Sequence, residues 1–147
     1  NDIVWSMKPN AAATTLEAKI KNYGVELLSD KNISFHYKIN AEVESLLQNM
    51  LARKNILLII KEAMNNIAKY SNATEADLQL TIEQGNCMLI IKDNGTGFDT
   101  QISNEGNGLM NMKHRAQELK GTLTIQSSPG NGTIIKGVFP VAIISGK

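Results

Sequence analysis

The hydrophobic positions change period several times along the chain, and each change marks an element. Leu16, Ile20, Tyr23 and Leu27 recur at spacings of four, three and four, the stripe of an amphipathic helix that Thr14 or Thr15 can cap. Ile33, Phe35, Tyr37 and Ile39 then alternate with Ser34, His36, Lys38 and Asn40, which predicts a strand with one buried face. A helical stretch follows over about 50–70, with Ile56, Ile60, Ala63 and Ile67 on its apolar side. Leu78, Leu80 and Ile82 alternate with polar residues, and Gln84-Gly85-Asn86 turns the chain back into an apolar strand over 87–92, as in a hairpin. A helix over 108–119 carries Leu109, Met112, Ala116 and Leu119 and is stopped by Gly121. Leu123 and Ile125 alternate with Thr122, Thr124 and Gln126, and the turn 128–132 leads into a last strand over 133–139. Hairpins and half-polar strands predict an α/β two-layer sandwich, a mixed, mainly antiparallel sheet covered on one face by helices.

Two glycine turns interrupt this pattern and carry its chemistry. The strand over 87–92 runs into Asp93-Asn94-Gly95-Thr96-Gly97-Phe98-Asp99, an acid followed by a glycine-spaced turn. Gly95 and Gly97 permit backbone angles and close approaches that a Cβ forbids. Gly106-Asn107-Gly108 then opens the helix that begins with Leu109. One glycine turn after a strand and another at a helix start predict a nucleotide pocket with its phosphates at the helix N-terminus.

The long helix adds a polar stripe. Glu62, Asn66 and Lys69 sit four and three residues apart, on one side of the helix and opposite its apolar face. Leu58 and Ile59 flank that side one turn earlier, so protein covers the helix there and the stripe looks into a cleft. A carboxylate, a carboxamide oxygen and a cation in line suit Mg²⁺ and phosphate, because Mg²⁺ takes few hard oxygens from protein and the rest from water and phosphate. Asn65 is offset from the stripe and is the weaker candidate ligand.

Length and composition narrow the alternatives. The chain's 147 residues, 42% of them apolar, suffice for one domain with its own core. A net charge of +1 without a basic run longer than two residues argues against nucleic acid as the main partner. The single cysteine, Cys87, falls in an apolar strand, which excludes a disulfide framework and suits a reducing compartment. No stretch reaches the ~18 apolar residues of a membrane span. The chain opens on Asn1 and a leader containing Trp5 and Met7, which reads as a piece of a longer protein. Any membrane attachment would then come through segments outside it.

With these residues assembled, the chain resembles a known family. Lys61-Glu62-Ala63-Met64-Asn65-Asn66-Ile67-Ala68-Lys69-Tyr70-Ser71 is similar to the asparagine box of the gyrase, chaperone, histidine-kinase and mismatch-repair ATPase superfamily. Asp93-Asn94-Gly95-Thr96-Gly97-Phe98 resembles its first glycine box, Gly106-Asn107-Gly108-Leu109-Met110-Asn111-Met112 its second, and Gly132-Thr133 its final Gly-Thr element. The likeness runs from about Ile33 to Phe139. The short segment between the glycine boxes and the Gly-Leu-x-Asn-Met form resemble sensor histidine kinases with compact ATP lids. The resemblance implies that Asn66 ligates Mg²⁺ and that Glu62 positions groups near the γ-phosphate, while Lys69, from its place in the stripe, can neutralise a phosphate. It implies that Asp93 accepts from the adenine amino group with Thr133 in support through water, and that Gly95, Gly97 and Phe98 shape the adenine edge. The backbone around Gly106, Gly108 and Leu109 would meet the phosphates.

The same resemblance implies a catalytic, Mg-ATP-binding domain over 11–147, with residues 1–10 left from a linker to upstream dimerisation and phosphoacceptor helices, and a response regulator as further partner. It would be a cytoplasmic part of a sensor anchored in the membrane. An anti-sigma-factor serine kinase, or a nucleotide-dependent interaction module without transfer chemistry, stays open as an alternative. Tyr70 departs from the histidine that many members carry after the box lysine, and an adjusted phosphate end is expected. His36 and His114 read as surface residues, Trp5 and Met7 as packing against another domain, and Met110 and Met112 as packing under the lid.

Overall fold

A computed structural model describes residues 15–100 and 108–146. Thr15 caps the first helix, α1 (Leu16–Ser29), its Oγ1 accepting the Ala18 N–H at 3.1 Å. The helix buries Leu16, Ile20 and Leu28 completely, while Tyr23 and Leu27 only flank the core. At Gly24 a Cβ would lie 2.6 Å from the Phe35 ring, so the glycine lets α1 lie directly on the first strand, β1 (Ser34–Ile39). A short helix, α2 (Ala41–Leu46), leads to the central helix, α3 (Met50–Asn66), capped by Asn49. The strands β2 (Glu75–Glu83) and β3 (Asn86–Asp93) follow, then α4 (Gly108–Glu118), β4 (Thr122–Ser127), β5 (Thr133–Pro140) and a last turn of helix, α5 (Val141–Ile144).

The five strands form one sheet in the order β1-β2-β3-β5-β4. β1 runs parallel to β2 and every other pairing is antiparallel. Gln84 and Gly85, both at positive φ (50° and 80°), make the two-residue hairpin between β2 and β3, as the right-handed twist of paired strands favours. The alternation read from the sequence puts Leu78, Leu80, Cys87, Leu89, Ile91, Ile135 and Phe139 against the helices. α3 packs on them with Ile56, Ile60 and Ala63, followed by Ile67 just past its end, and also buries Leu57, Ile59 and Met64. Its first two residues escape that enclosure: Met50 and Leu51 are exposed. No helix among the described residues is long and apolar enough to cross a membrane.

Several expectations need correction. The helix expected to reach residue 70 stays α-helical only to Asn66 and widens into a π-helical turn, Ile67–Ser71. There the Ser71 hydroxyl donates to the Ile67 carbonyl at 2.6 Å, and Asn72, at φ 54°, ends the element. Gly121 does not supply the left-handed residue that stops α4; Lys120 does, at φ 58°. The N–H groups of Lys120 and Gly121 close the helix on the carbonyls of Gln117 and Ala116. Gly121 is required for space, since a Cβ there would meet the Val138 carbonyl and the Phe139 ring. Met112 is buried as expected, but Met110 is 62% exposed and packs under nothing described. α2 and α5, six and four residues long, are too short to show a helical period.

Candidate functional site

A cleft of about 450 Å³, part of it open to solvent, lies between the C-terminal end of α3 and the adjoining ends of β3 and β5. Asn66, Tyr70, Asp93, Gly97, Phe98, Leu109 and Thr133 line it, with Ala63, Ile67 and Ile135 as its apolar back. Two segments distant in sequence meet here because β3 and β5 are neighbours, in a register that sets Asp93 opposite Thr133.

The wall built from strand ends and turns is tightly bonded. Asp93 is 6% exposed, and its Oδ1 accepts the Gly95 N–H at 2.8 Å. Burial pushes its carboxyl above the usual carboxylate range, and the N–H groups of Gly95 and Thr133, donating to it, oppose part of that shift. Gly95 has no room for a side chain: a Cβ would overlap the Ser71 carbonyl and come within 2.7 Å of Ser71 Cβ. The next N–H, of Thr96, donates to that same carbonyl at 2.7 Å. Gly97 sits at φ 66°, the left-handed region that glycine enters freely, and its Cβ would strike the Ser128 carbonyl. The first glycine turn is thus held between the π turn of α3 and the β4–β5 connection.

Two residues that sequence reasoning missed fasten this turn. Asn94 Oδ1 accepts the N–H groups of Thr74 and Glu75 at 2.9 and 3.0 Å, and its amide donates to Thr74 Oγ1 at 2.8 Å. The Ser127 hydroxyl, at the end of β4, receives the Phe98 N–H at 2.9 Å, lies 2.9 Å from the Gly132 carbonyl and 2.8 Å from Thr133 Oγ1. Asn94 was visible as part of a motif and Ser127 only as a residue before a turn. No period or spacing signals a side chain that bonds across to another segment.

The helical wall is looser. Glu62 and Asn66 are half-buried, Lys69 is exposed, and Tyr70 is 54% exposed at the rim. Glu62 and Lys69 lie outside the cleft lining itself. Glu62 instead rests on the first residue of α4: a Cβ on Gly108 would lie 2.5 Å from its Oε2. Two turns earlier on α3, the buried amide of Asn55 donates to the Arg115 carbonyl at 3.2 Å and to Glu118 Oε1 at 2.8 Å. α3 therefore holds α4 antiparallel at two points, and the upper one brings the α4 N-terminus to the polar stripe. Asn65 is turned away, accepting the Tyr23 hydroxyl at 3.2 Å. His36 and His114 are exposed and neither lines the cleft. Gly106 lies outside the described residues.

Among the described residues no group of three or more His, Cys, Asp or Glu could enclose a metal. On the helical side the oxygen donors are the Asn66 carboxamide and, beside it, the Glu62 carboxylate, a set that suits a hard divalent cation completing its shell with phosphate and water.

The comparisons agree with this architecture. Residues 52–143 match the family described as histidine kinase-, DNA gyrase B-, and HSP90-like ATPase. The chain is 32% identical over 117 residues to the signal transduction histidine-protein kinase/phosphatase DegS of Bacillus subtilis, covering 76% of this chain and 30% of DegS. It is 34% identical over 131 residues to the sensor protein VraS of Staphylococcus haemolyticus, covering 86% of this chain and 37% of VraS. It thus spans about a third of the length of these relatives. In fold it resembles the histidine kinase domain of the Erythrobacter litoralis EL346 blue-light activated histidine kinase, with a TM-score of 0.73 at 18% identity over 90% of this chain and 66% of that one. Full-length ShkA, solved in complex with AMPPNP, superimposes with a TM-score of 0.67 at 14% identity over 82% of this chain and 29% of ShkA. With a family match over more than half its length, this chain belongs to the histidine kinase-, DNA gyrase B- and HSP90-like ATPases, as an ATPase domain of the sensor-histidine-kinase kind.

Proposed function

We propose that this chain binds Mg-ATP and holds its γ-phosphate for transfer to a histidine on a separate helical domain of the same sensor, from which a response regulator would be charged. The observation that carries the reading is the buried Asp93 carboxylate at the cleft wall, held by backbone N–H groups and set beside Thr133. A buried acceptor with a fixed direction suits an amino group on a flat base, and the apolar residues Ile67, Phe98 and Ile135 suit the base itself. Asn66 and Glu62 would hold Mg²⁺ or the groups around it, Lys69 would neutralise phosphate, and Gly108 would bring backbone N–H groups of α4 toward the phosphates. Bound there, Mg²⁺ would screen charge on the transferring phosphoryl group. The chain's own part is to position ATP and leave one side open to an incoming imidazole, since His36 and His114 stand away from the cleft.

Calorimetry with ATP and magnesium is the direct test, with an affinity in the micromolar range or weaker expected for an open cleft. The chain alone should bind ATP without gaining acid-labile label from γ-labelled ATP. A helical domain carrying the acceptor histidine, supplied in trans, should become labelled. Absence of nucleotide binding overturns the reading. Acid-labile label on this chain, lost on changing His36 or His114, overturns its role as donor to a separate domain.

A further inference from the structure

We infer that Asn55 is a positioning residue for the phosphate end of the cleft, an inference that rests on the nucleotide reading above. From two turns down α3 it fixes how far along that helix the N-terminus of α4 lies. Asn55 is 1% exposed and lines no part of the cleft. Its amide donates twice to α4, to the Arg115 carbonyl at 3.2 Å and to Glu118 Oε1 at 2.8 Å. Only the nitrogen end of the amide can serve both, because a carbonyl and a carboxylate accept and do not donate. The carbonyl needs this donor. In a longer helix the Leu119 N–H would take it, but that N–H turns to Ala116 at 3.0 Å as α4 ends. Asn55 thus caps the last turn of α4 from a neighbouring helix.

The other contacts along this helix pair have little direction. Between the two points where the helices meet, each buries an apolar residue, Ile59 on α3 and Met112 on α4. Apolar burial does not fix a height along the axis, and a methionine side chain repacks easily. At the far end Glu62 rests on Gly108, a residue with no side chain to key into it. Asn55 and Glu62 are seven residues apart on α3, as are Gly108 and Arg115 on α4. The two contacts are therefore about 10 Å apart and joined by two turns of helix. A shift of α4 at the Asn55 end is carried to Gly108 and to Leu109, which belongs to the cleft lining. The strand wall is held by the Asp93, Thr96 and Ser127 bonds, none of which involves Asn55. Loss of Asn55 should move one end of the site and spare the other.

Amide chemical shifts of the isotope-labelled chain, followed through a titration with ATP and magnesium, test this because one experiment reads both ends of the ligand. In the parent, the amides of Gly95, Gly97 and Phe98 on the strand wall and of Gly108, Leu109 and Met110 on α4 should all shift. Asn55→Asp keeps the shape but sets a carboxylate against the Arg115 carbonyl and Glu118. At saturation it should preserve the strand-wall shifts and lose those at the start of α4. ATP affinity should fall about three- to tenfold, the worth of one hydrogen bond. Asn55→Leu removes both donations without adding charge, should give the same pattern, and serves where the aspartate variant does not fold. Glu118→Gln keeps an acceptor for Asn55 and should leave both sets of shifts as in the parent. A purely structural Asn55 would affect both ends alike. Shifts that persist at both ends in the Asn55 variants, or fade at both in a variant that still melts cooperatively, overturn this inference and leave ATP binding by the parent intact. A parent in which no amide shifts overturns the nucleotide reading and this inference with it.

Discussion

The two walls of the cleft are built by different means. The strand wall is made of backbone and short side chains: Asp93, the turn through Gly95 and Gly97, Ser127 and Thr133, each bonded to at least one other part of the sheet. The helical wall is made of longer side chains on one helix end, Asn66 and Tyr70 in the lining with Glu62 and Lys69 beside it, of which Lys69 and Tyr70 stand in solvent. A rigid wall can recognise a shape before the ligand arrives, because little ordering is left to be done on binding. The helical wall suits a charged, mobile group whose place is finished by a metal and by α4. Substitutions on the helical wall should therefore change chemistry more than affinity, and those on the strand wall affinity more than chemistry.

The largest expected effect is on the helical wall. Asn66→Ala removes a hard oxygen from the polar stripe while leaving the strand wall untouched. Phosphoryl transfer to a helical domain in trans should fall on the order of 10²–10³-fold, the usual loss when one fixed electrostatic contact to a reacting group is deleted. ATP binding should persist but lose its dependence on magnesium. Equal affinity loss with and without magnesium would assign Asn66 to the base instead.

Asp93→Asn probes the opposite wall and should weaken ATP ten- to a hundredfold, the cost of replacing a charged acceptor facing a buried donor. The same substitution should raise the melting temperature of the ligand-free domain at neutral pH. Burial raises the Asp93 carboxyl above its ordinary 3.8, so the folded state holds that proton more tightly than the unfolded chain does. Its favourable contribution is complete below the unfolded value and is lost as pH rises through the folded one. At neutral pH the ionised, buried carboxylate thus costs stability. Acidification through that raised value should weaken ATP binding while easing this cost, and Asp93→Asn should remove both trends. Calorimetry and thermal melts across a pH series check the opposite signs.

Periodicity was enough to read the strands, α1, α3 and α4, because each presents one apolar face to a shared core. Composition cannot reveal what packs sideways. Gly24 and Gly121 are glycines for lack of room against Phe35 and Phe139, not for lack of φ. The π turn depends on Ser71 bonding back to Ile67, a local competition that the apolar pattern of Ile67 and Ala68 does not register. In the cleft the glycine turns were legible because backbone angles and close approaches restrict sequence directly. Asn55, Asn94 and Ser127 were not, because an amide or hydroxyl that bonds across to another segment looks like any surface polar residue until the segments are brought together.

Gly95→Ala should have a smaller and mainly structural effect. The added methyl would overlap the Ser71 carbonyl, so either the glycine turn or the π turn must move. A destabilisation of about 1–3 kcal/mol is expected for such overpacking, with a loss in ATP affinity because Asp93 moves with the Gly95 N–H that it accepts. A thermal melt unchanged from the parent would show that the two segments are not in rigid contact, and the contrast between the walls would lose its basis.

The smallest effect should come from a site outside both walls. Glu44 on α2 accepts the Leu16 N–H at the start of α1 and pairs with Arg53 on α3 at 2.9 Å, with the buried Lys19 beside them. Burial lowers the Lys19 ammonium, the Arg53 charge adds to that shift, and Glu44 opposes it. Three helices are thus tied by one carboxylate. That carboxylate is 39% exposed, so solvent screens the ion pair and its worth is about 0.5–1 kcal/mol. Glu44→Gln keeps the shape and an acceptor for Leu16 while removing the charge. It should lower the melting temperature by about one to three degrees and leave ATP affinity unchanged, since the cleft lining draws on α3 only from Ala63 onward and on neither α1 nor α2. A change in nucleotide affinity would mean that α1 and the cleft are coupled through α3, and that the helical wall is set from its far end as well as by Gly108 and Asn55.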